Sequence, residues 1–133
     1  MPTNTAATQA REYQSHMMHY LRKDFTFADA GLALVVGILP AGAVMHKNLC
    51  GVDIQVAFTA ATNHQLDIGT PANDDLYATN LELNAIDFIE MDEAVSLKVA
   101  VDTTIIATPD LTGASNTAGA GSVIIAYSVR DGI

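Results

Sequence analysis

Four carboxylates near residue 90 are the residues whose types and spacing first suggest catalysis. Asp87, Glu90, Asp92 and Glu93 could supply the two carboxyl groups that hydrolyse a glycosidic bond. A cleft that binds sugar is normally lined by aromatic rings, however, and this chain has no Trp and only 4 Tyr. Because residues 92–93 also fall where a strand should turn, a solvated rim explains these acids better than a catalytic pair.

Acidic and amide side chains also crowd the segment from residue 67 to residue 75. Asp67, Asn73, Asp74 and Asp75 carry the oxygen atoms that calcium prefers as ligands. Their spacing does not match the helix–loop–helix calcium pattern. Asp and Asn also favour turns, because their side chains bond the local backbone. The sequence favours a solvated turn here, with a calcium site as the alternative.

The remaining reactive residue types do not assemble into a recognisable site. His16 and His19 would face one way on a helix, but no third metal ligand lies near them in the sequence. Cys50 is the single cysteine, and its place before a strand-like run predicts a small buried side chain. A strand, not a helix, follows the glycines of Ala118–Gly121, so this segment lacks the geometry of a phosphate-binding loop. The sequence predicts no enzyme, no metal and no cofactor.

The composition indicates a globular chain rich in β-structure. Of the 133 residues, 50% are apolar and 16% are charged, whereas an average domain has about 25% charged residues. The high apolar content excludes disorder of the whole chain. The scarcity of Glu, Lys and Arg argues against a helical bundle. The net charge of −9 makes nucleic acid a poor partner, because phosphate binding needs clustered Lys and Arg.

No segment has the pattern of an export signal or a membrane anchor. The first 12 residues lack a charged region followed by an apolar stretch. The longest uncharged run, residues 30–45, has 16 residues and is interrupted by Gly and Pro, whereas a spanning helix needs about 20 apolar residues. We expect a soluble protein with no membrane partner.

Charge divides the chain into a basic N-terminal arm, residues 1–23, and an acidic β-sandwich domain, residues 24–133. The arm holds three basic residues and one acid, whereas the body holds three basic residues and 14 acids. Four apolar residues of the arm recur at the spacing of one helix face: Tyr13, Met17, Tyr20 and Leu21. The arm is therefore predicted to contain a short helix between residues 11 and 23. So short a helix is marginal alone and needs the body or a partner to pack against.

From residue 24 onward, apolar and polar residues alternate as they do in half-buried β-strands. The clearest examples are residues 52–59, 95–102 and 122–129. Turn signals such as Pro40-Ala41-Gly42 separate the strands at intervals of about 8–12 residues. The pattern predicts an all-β fold, a β-sandwich of about eight to nine short antiparallel strands, with the jelly roll favoured.

Two stretches of the body are predicted to lie outside regular strands. Residues 71–84 are the most polar and irregular part, with one helical turn near Asp74 to Tyr77. Residues 109–121 form a loop rich in Gly, Ser, Thr and Ala.

Five segments of the body resemble small structural proteins of tailed bacteriophages. They read FADAGLALVVGILPAGAVM, GVDIQVAF, LDIGTPANDDLY, DEAVSLKVAVDTTIIAT and GAGSVIIAYSV. They resemble the capsid decoration (cement) protein family, and the resemblance extends over roughly residues 25–129. The resemblance rests on the alternation of apolar and polar residues and on the turns between strands, and it includes no catalytic motif. It implies a jelly-roll-like β-sandwich that binds the outside of the capsid as a homo-oligomer, a dimer or trimer, and clamps neighbouring capsomers.

The resemblance further implies the major capsid protein and sister copies as partners, and a place on the exterior of a virion assembled in the host cytoplasm. We predict that the arm is the docking element, because Arg, Met and aromatic residues are enriched at interfaces. The docking residues of this hypothesis are Arg11, Tyr13, Met17, Tyr20, Leu21, Arg22 and Lys23. In the alternative, the arm pairs with sister subunits and only stabilises the oligomer.

Three other functions stay open on the sequence. A phage tail or baseplate β-sandwich would have a similar construction. A host-surface module could bind carbohydrate through the acidic segment 71–84, although it lacks aromatic platforms for sugar. A small hydrolase would have to use the carboxylates of residues 87–93.

Overall fold

The described part of the chain folds into two antiparallel β-sheets that contain nine strands. The computed structural model describes residues 18–129. The strands are β1 (His19–Thr26), β2 (Leu34–Leu39), β3 (Ala43–Met45), β4 (Gly51–Val56), β5 (Asn63–Thr70), β6 (Asn73–Glu82), β7 (Asp87–Glu90), β8 (Thr103–Thr112) and β9 (Ala120–Val129). Two single-turn 3₁₀ helices, Phe27–Asp29 and Lys47–Leu49, are the helical elements of the described residues.

The order of the strands is that of a jelly roll. Sheet A has the order β1-β9-β4-β7, with β3 also paired to β9, and sheet B has the order β2-β8-β5-β6. The pairs are nested along the chain: β1 pairs with β9, β2 with β8, β4 with β7 and β5 with β6. A long hairpin that is rolled up on itself produces this nesting. The predicted all-β sandwich of eight to nine antiparallel strands is confirmed.

The core lies between the two sheets and is built from the residues that alternate in the sequence. Val52 and Ile54 of β4 are at most 1% exposed, and Val123 and Ile125 of β9 are fully buried. Each such side chain stabilises the fold by about 1.5–3 kcal/mol through removal of apolar surface from water. Successive residues of a strand point to opposite faces, so the alternation in β4 and β9 encodes which face packs inward.

The helix predicted between residues 11 and 23 is wrong for the part that the structure describes. Residues 19–23 belong to β1, which pairs with β9 at eight consecutive positions. Tyr20 and Leu21 share a helix face but lie on opposite faces of a strand. The cross-strand ladder and the burial of Phe25 outweigh the weak local preference for a helix. The strand runs through the predicted boundary of the arm at residue 23, and the rest of the arm lies outside the described residues.

The polar stretch 71–84 is a strand and not an irregular segment. Its residues 73–82 form β6, and the two residues Pro71 and Ala72 connect it to β5. The pairing of β6 with β5 shifts register on both sides of Ile68, and Asn80 has a φ of +55°. These irregularities place the consecutive residues Tyr77 and Ala78 both in the core. The period-two pattern is therefore interrupted, which is why the sequence did not predict this strand or exclude the helical turn at Asp74–Tyr77.

The alternating segment 95–102 is extended but does not form a regular strand. It is attached to β3 by one bridge, Val44 to Lys98, and by backbone hydrogen bonds that include Val99 N–H to Ala43 O at 3.0 Å. Because β3 has only three residues, the ladder cannot extend along the whole segment.

The loop predicted for residues 109–121 begins later than expected, because residues 109–112 belong to β8. Pro109 accepts a hydrogen bond from Gly31 N–H through its carbonyl at 2.8 Å. The backbone nitrogen and the carbonyl of one strand residue point to the same side of the strand. The nitrogen of Pro109, which has no hydrogen to donate, therefore faces the residues before β2, where the β2–β8 ladder has already ended. Proline is therefore tolerated in this central strand.

We predict that replacement of Gly119 by Ala destabilises the sandwich by roughly 2–3 kcal/mol. Gly119 has a φ of +147°, and a Cβ there would overlap the ring of Phe58, which stacks on Phe25 with ring centroids 5.3 Å apart. Gly31→Ala is the matched control, because Gly31 has a φ of +78° but open space around it. Urea denaturation should show a loss of only about 1 kcal/mol for the control. Equal losses in the two variants would contradict the packing argument.

Candidate docking surface

The structure places four of the seven predicted docking residues on β1, an edge strand of sheet A. Tyr20 is 62% exposed, and Arg22 and Lys23 are exposed as well. Leu21 is half-buried and packs against the core. Its side chain lies against Gly37, so that a Cβ added to Gly37 would come within 2.8 Å of Leu21 Cδ2. Leu21 is therefore used within the subunit, whereas Tyr20, Arg22 and Lys23 are exposed.

Arg11, Tyr13 and Met17, the other three predicted docking residues, lie outside the described residues. Met18 is the residue at which the described chain begins, directly before β1. The structure thus brings Tyr20, Arg22 and Lys23 onto one strand edge.

A cluster of hydrogen bonds on the outer face of sheet A ties β1 to its neighbouring strands. Arg22 Nε lies 2.9 Å from Asp24 Oδ1, and Ser122 Oγ donates to the same oxygen at 2.6 Å. Gln55 Nε2 donates to Ser122 Oγ at 3.2 Å and to Asp53 Oδ2 at 2.9 Å. The cluster therefore links β1 through β9 to β4. Sequence reasoning found Arg22 but not Ser122, because Ser122 comes from a strand 100 positions away in the chain.

Ser122 is the centre of this cluster. It is 1% exposed and is the buried polar residue of residues 18–129. A buried hydroxyl without a partner is costly, but this one donates to Asp24 and accepts from Gln55. The hydrogen bond from Ser122, together with Arg22, lowers the pKa of Asp24. The charged form of Asp24 is thus the form that the folded protein stabilises.

Exposed apolar side chains continue from β1 onto the neighbouring edge strand of sheet B. Val35 and Ile38 of β2 are 56% and 59% exposed, and Leu32, just before β2, is 53% exposed. The strands β1 and β2 lie on the same side of the sandwich, since Leu21 contacts Gly37. We call the exposed side chains of these two adjacent strands and of Leu32, which include apolar and basic groups, the β1/β2 surface.

The carboxylates considered for sugar chemistry do not converge on a cleft. Asp87 and Glu90 are exposed on β7, the edge strand at the other end of sheet A. Asp92 Oδ1 accepts a hydrogen bond from Thr79 N–H at 3.1 Å, and Glu93 accepts one from Lys47 Nζ through its carbonyl at 3.2 Å. Their contacts support turns and connections between strands.

The acidic segment 67–75 forms the hairpin of β5 and β6. Asp67 Oδ1 accepts a hydrogen bond from Asn80 N–H at 2.7 Å. Burial raises the pKa of Asp67, and the charges of Asp74, Asp75 and Asp110 raise it further. Within residues 18–129, no three His, Cys, Asp or Glu side chains are arranged to hold a metal ion.

Cys50 is a buried thiol that nothing in its described surroundings activates. Cys50 is fully buried, and its Sγ donates to Ala126 O and accepts from Ala126 N–H, both at 3.3 Å. Burial raises the pKa of its thiol. An open depression of about 420 Å³ is lined by residues 45–49, and its His46 Nε2 lies 3.0 Å from Ser128 Oγ.

None of the helices in the described part of the chain has the length and apolar character needed to cross a membrane.

Comparison with known proteins matches the fold and not the sequence. No protein-family model matches the chain, and no curated protein matches it. A chain of the cyanophage Pam1 capsid asymmetric unit is similar over 98% of this chain and 94% of its own, with 12% identity and a TM-score of 0.67. A chain of the acidic stable capsid structure of Helicobacter pylori bacteriophage KHP30 is similar over 87% of this chain and 91% of its own, with 14% identity and a TM-score of 0.64.

At these identities the similarity shows a shared fold. Both matching chains come from phage capsid structures, so the resemblance to phage capsid proteins is confirmed at the level of the fold.

Asp24 and Asp67 should respond in opposite directions to the same substitution. Asp24→Asn should lower the melting temperature at pH 7, because the folded protein stabilises the charged form of Asp24; this stability is lost as the pH falls through its lowered pKa. Asp67→Asn should raise the melting temperature by about 1–2 °C, because burial disfavours the charged form and Asn keeps an oxygen for Asn80 N–H.

Thermal unfolding from pH 7 to pH 2.5 checks both signs. Below their pKa values both carboxyl groups are protonated in the wild type, so each difference should shrink there. Glu90→Gln is the control for a change of one charge at an exposed position. Shifts of the same sign in the two Asp variants would contradict the assigned causes.

Cys50 should be nearly inert in the folded protein. We expect iodoacetamide at pH 8 to alkylate it at least about tenfold more slowly than in 8 M urea, because burial removes the thiol from solvent and disfavours the thiolate. Mass spectrometry measures the modified fraction, with glutathione as the rate standard. Equal rates in native and denatured protein would show that β4 and β9 open readily at this point.

Proposed function

We propose that this protein is a structural protein of a bacteriophage virion that binds the outer surface of the capsid and cements neighbouring capsomers against internal pressure. The observation that supports it most is the shared fold: the sandwich matches chains of two phage capsid structures over nearly their whole length. The sequence resemblance over residues 25–129 supports the same class of protein.

The described surface suits a protein that works by contact. The charged groups of β7 and of the β5–β6 hairpin lie in strands and turns, and Cys50 is buried. The β1/β2 surface instead combines an exposed aromatic ring, exposed aliphatic side chains and two basic residues. Aromatic and basic anchors with an apolar surround are typical of protein interfaces.

In this proposal β1 and the segment that precedes it contact the major capsid protein. Tyr20 supplies an apolar anchor, while Arg22 and Lys23 face acidic groups of the shell. Arg11, Tyr13 and Met17 complete the contact from the N-terminal side. Leu21 acts indirectly, because it holds β1 against β2.

We also propose that the protein acts as a homo-oligomer, a dimer or trimer, on the capsid exterior. A cement must hold at least two capsomers at once, and copies joined to each other gain avidity when they bind a symmetric lattice. Assembly then takes place in the host cytoplasm, where shells are built.

Co-sedimentation with undecorated shells of the phage that encodes the protein tests the function. We expect saturable, stoichiometric pelleting with expanded shells and none with compact precursor shells. Pelleting with neither form would overturn the capsid role and favour a tail or baseplate location. Binding on a glycan array would favour the carbohydrate-binding alternative.

The contact residues are tested by a matched pair of double variants. Tyr20→Ala with Lys23→Glu should weaken shell binding at least about tenfold, since loss of an interface anchor commonly costs 1–2 kcal/mol or more. The control is Ile86→Ala with Lys98→Glu. It removes an exposed apolar side chain and reverses the charge of an exposed lysine, both at positions away from β1. Equal binding by the two double variants would show that β1 is not the contact strand.

A further inference from the structure

The outer edge of β2 is open in the described part of the structure. Sheet B ends at β2, which pairs with β8 on one side and with no strand of residues 18–129 on the other. An open edge exposes unpaired backbone N–H and C=O groups, and it readily pairs with another extended chain. Native proteins normally guard such edges with charged side chains or short strands.

The three other edge strands of the sandwich carry such guards. Their charged residues are Arg22, Lys23 and Asp24 in β1, Asp74, Asp75 and Glu82 in β6, and Asp87 and Glu90 in β7. In contrast, β2 has the sequence LVVGIL and carries no charge. It lies within the uncharged run of residues 30–45. Charge therefore does not protect this edge.

Apolar side chains accompany the open edge. In a regular strand, residues three positions apart point to opposite faces. A register shift between Val35 and Gly37 interrupts that alternation in β2, and Val35 and Ile38 are both exposed. Ile106 of β8 lies directly opposite Val35 and is 7% exposed, yet it is not among the residues of the central core. The edge of β2 thus continues into a small apolar patch on the outer face of sheet B.

The chain enters β1 next to this patch. β1 and β2 run in opposite directions on the same side of the sandwich, and Leu21 contacts Gly37. Met18, three residues before Leu21, therefore lies near the Ile38 end of β2. The 17 residues before it can span at most about 56–61 Å, whereas the six residues of β2 extend only about 20 Å. The N-terminal segment is thus long enough, and begins close enough, to cover the edge.

We propose that in the free subunit the outer edge of β2 binds the chain's own N-terminal segment, residues 1–17, as an added strand. Tyr13 and Met17 are the large apolar residues of the segment apart from Met1, and they fall on one face of an extended chain because they are four residues apart. They cover Val35 and Ile38. Main-chain hydrogen bonds supply the affinity, as in other strand additions. The contact shields the uncharged edge from pairing with other chains.

Hydrogen exchange on the full-length free protein tests this contact. The probes are the amide hydrogens of β2 that point away from β8, followed by NMR or by mass spectrometry with fragmentation. We expect them to exchange at least about tenfold more slowly in the wild type than in Tyr13→Asp/Met17→Asp, which places two charges against the apolar patch. Thr5→Asp/Thr8→Asp is the matched control, with the same two charges in the same segment, and should behave like the wild type.

The amides of β8 that bond to β5 should not change in any variant, which shows that the sandwich stays folded. Exchange of the outward β2 amides at unprotected rates in the wild type would overturn the proposal, as would equal protection in the Tyr13/Met17 variant. Protection that disappears between about 200 µM and 10 µM protein would assign the edge to a second copy and would also overturn it. No shells are present, so failure here leaves the proposed capsid role untouched.

Discussion

The pairing of β9 with β1, β3 and β4 is the interaction on which the rest of the structure depends. β9 is the last strand of residues 18–129, and without it β1 and β3 have no ladder partner in that range. The bond from Ser122 to Asp24 joins residues 98 positions apart. Long-range contacts of this kind slow folding, because the loop must close before the pairing is gained. In the nested jelly roll, the innermost hairpin, β5–β6, closes the shortest loop, and the pairing of β1 with β9 closes the longest.

This closure decides which surfaces remain free. The two strands that the roll leaves side by side at one edge of the sandwich are β1 and β2, one from each sheet. The hydrogen bonds around Ser122 hold β1 in place, and β1 carries charged side chains. In contrast, β2 has no charged residue and no partner strand on its outer side within residues 18–129. Leu21 of β1 and Gly37 of β2 meet at this edge because the roll brings the two strands together. A protein that acts through its surface can thus gain a contact region without a cavity.

The sequence and the structure disagree where one pattern fits two geometries or where a bulge breaks the pattern. Tyr13, Met17, Tyr20 and Leu21 have helical spacing, yet Tyr20 and Leu21 lie in a strand because β9 offers a ladder. In β6, Tyr77 and Ala78 are adjacent and both buried, which no strict period-two pattern contains. Residues 95–102 alternate well, but their neighbour β3 is too short for a ladder. Local pattern therefore fails where the partner strand decides the geometry.

The sequence alone determined that the protein is all-β and that it has about eight to nine strands. It also determined which side chains of β4 and β9 face the core and that Cys50 is buried. These properties follow from hydrophobic periodicity, which is local and is written into consecutive residues. Only the tertiary structure decided that β1 and β2 are edges, that Ser122 bonds to Asp24, and that Leu21 packs inward. These contacts join residues far apart in the chain, and their energies depend on the fold that brings them together.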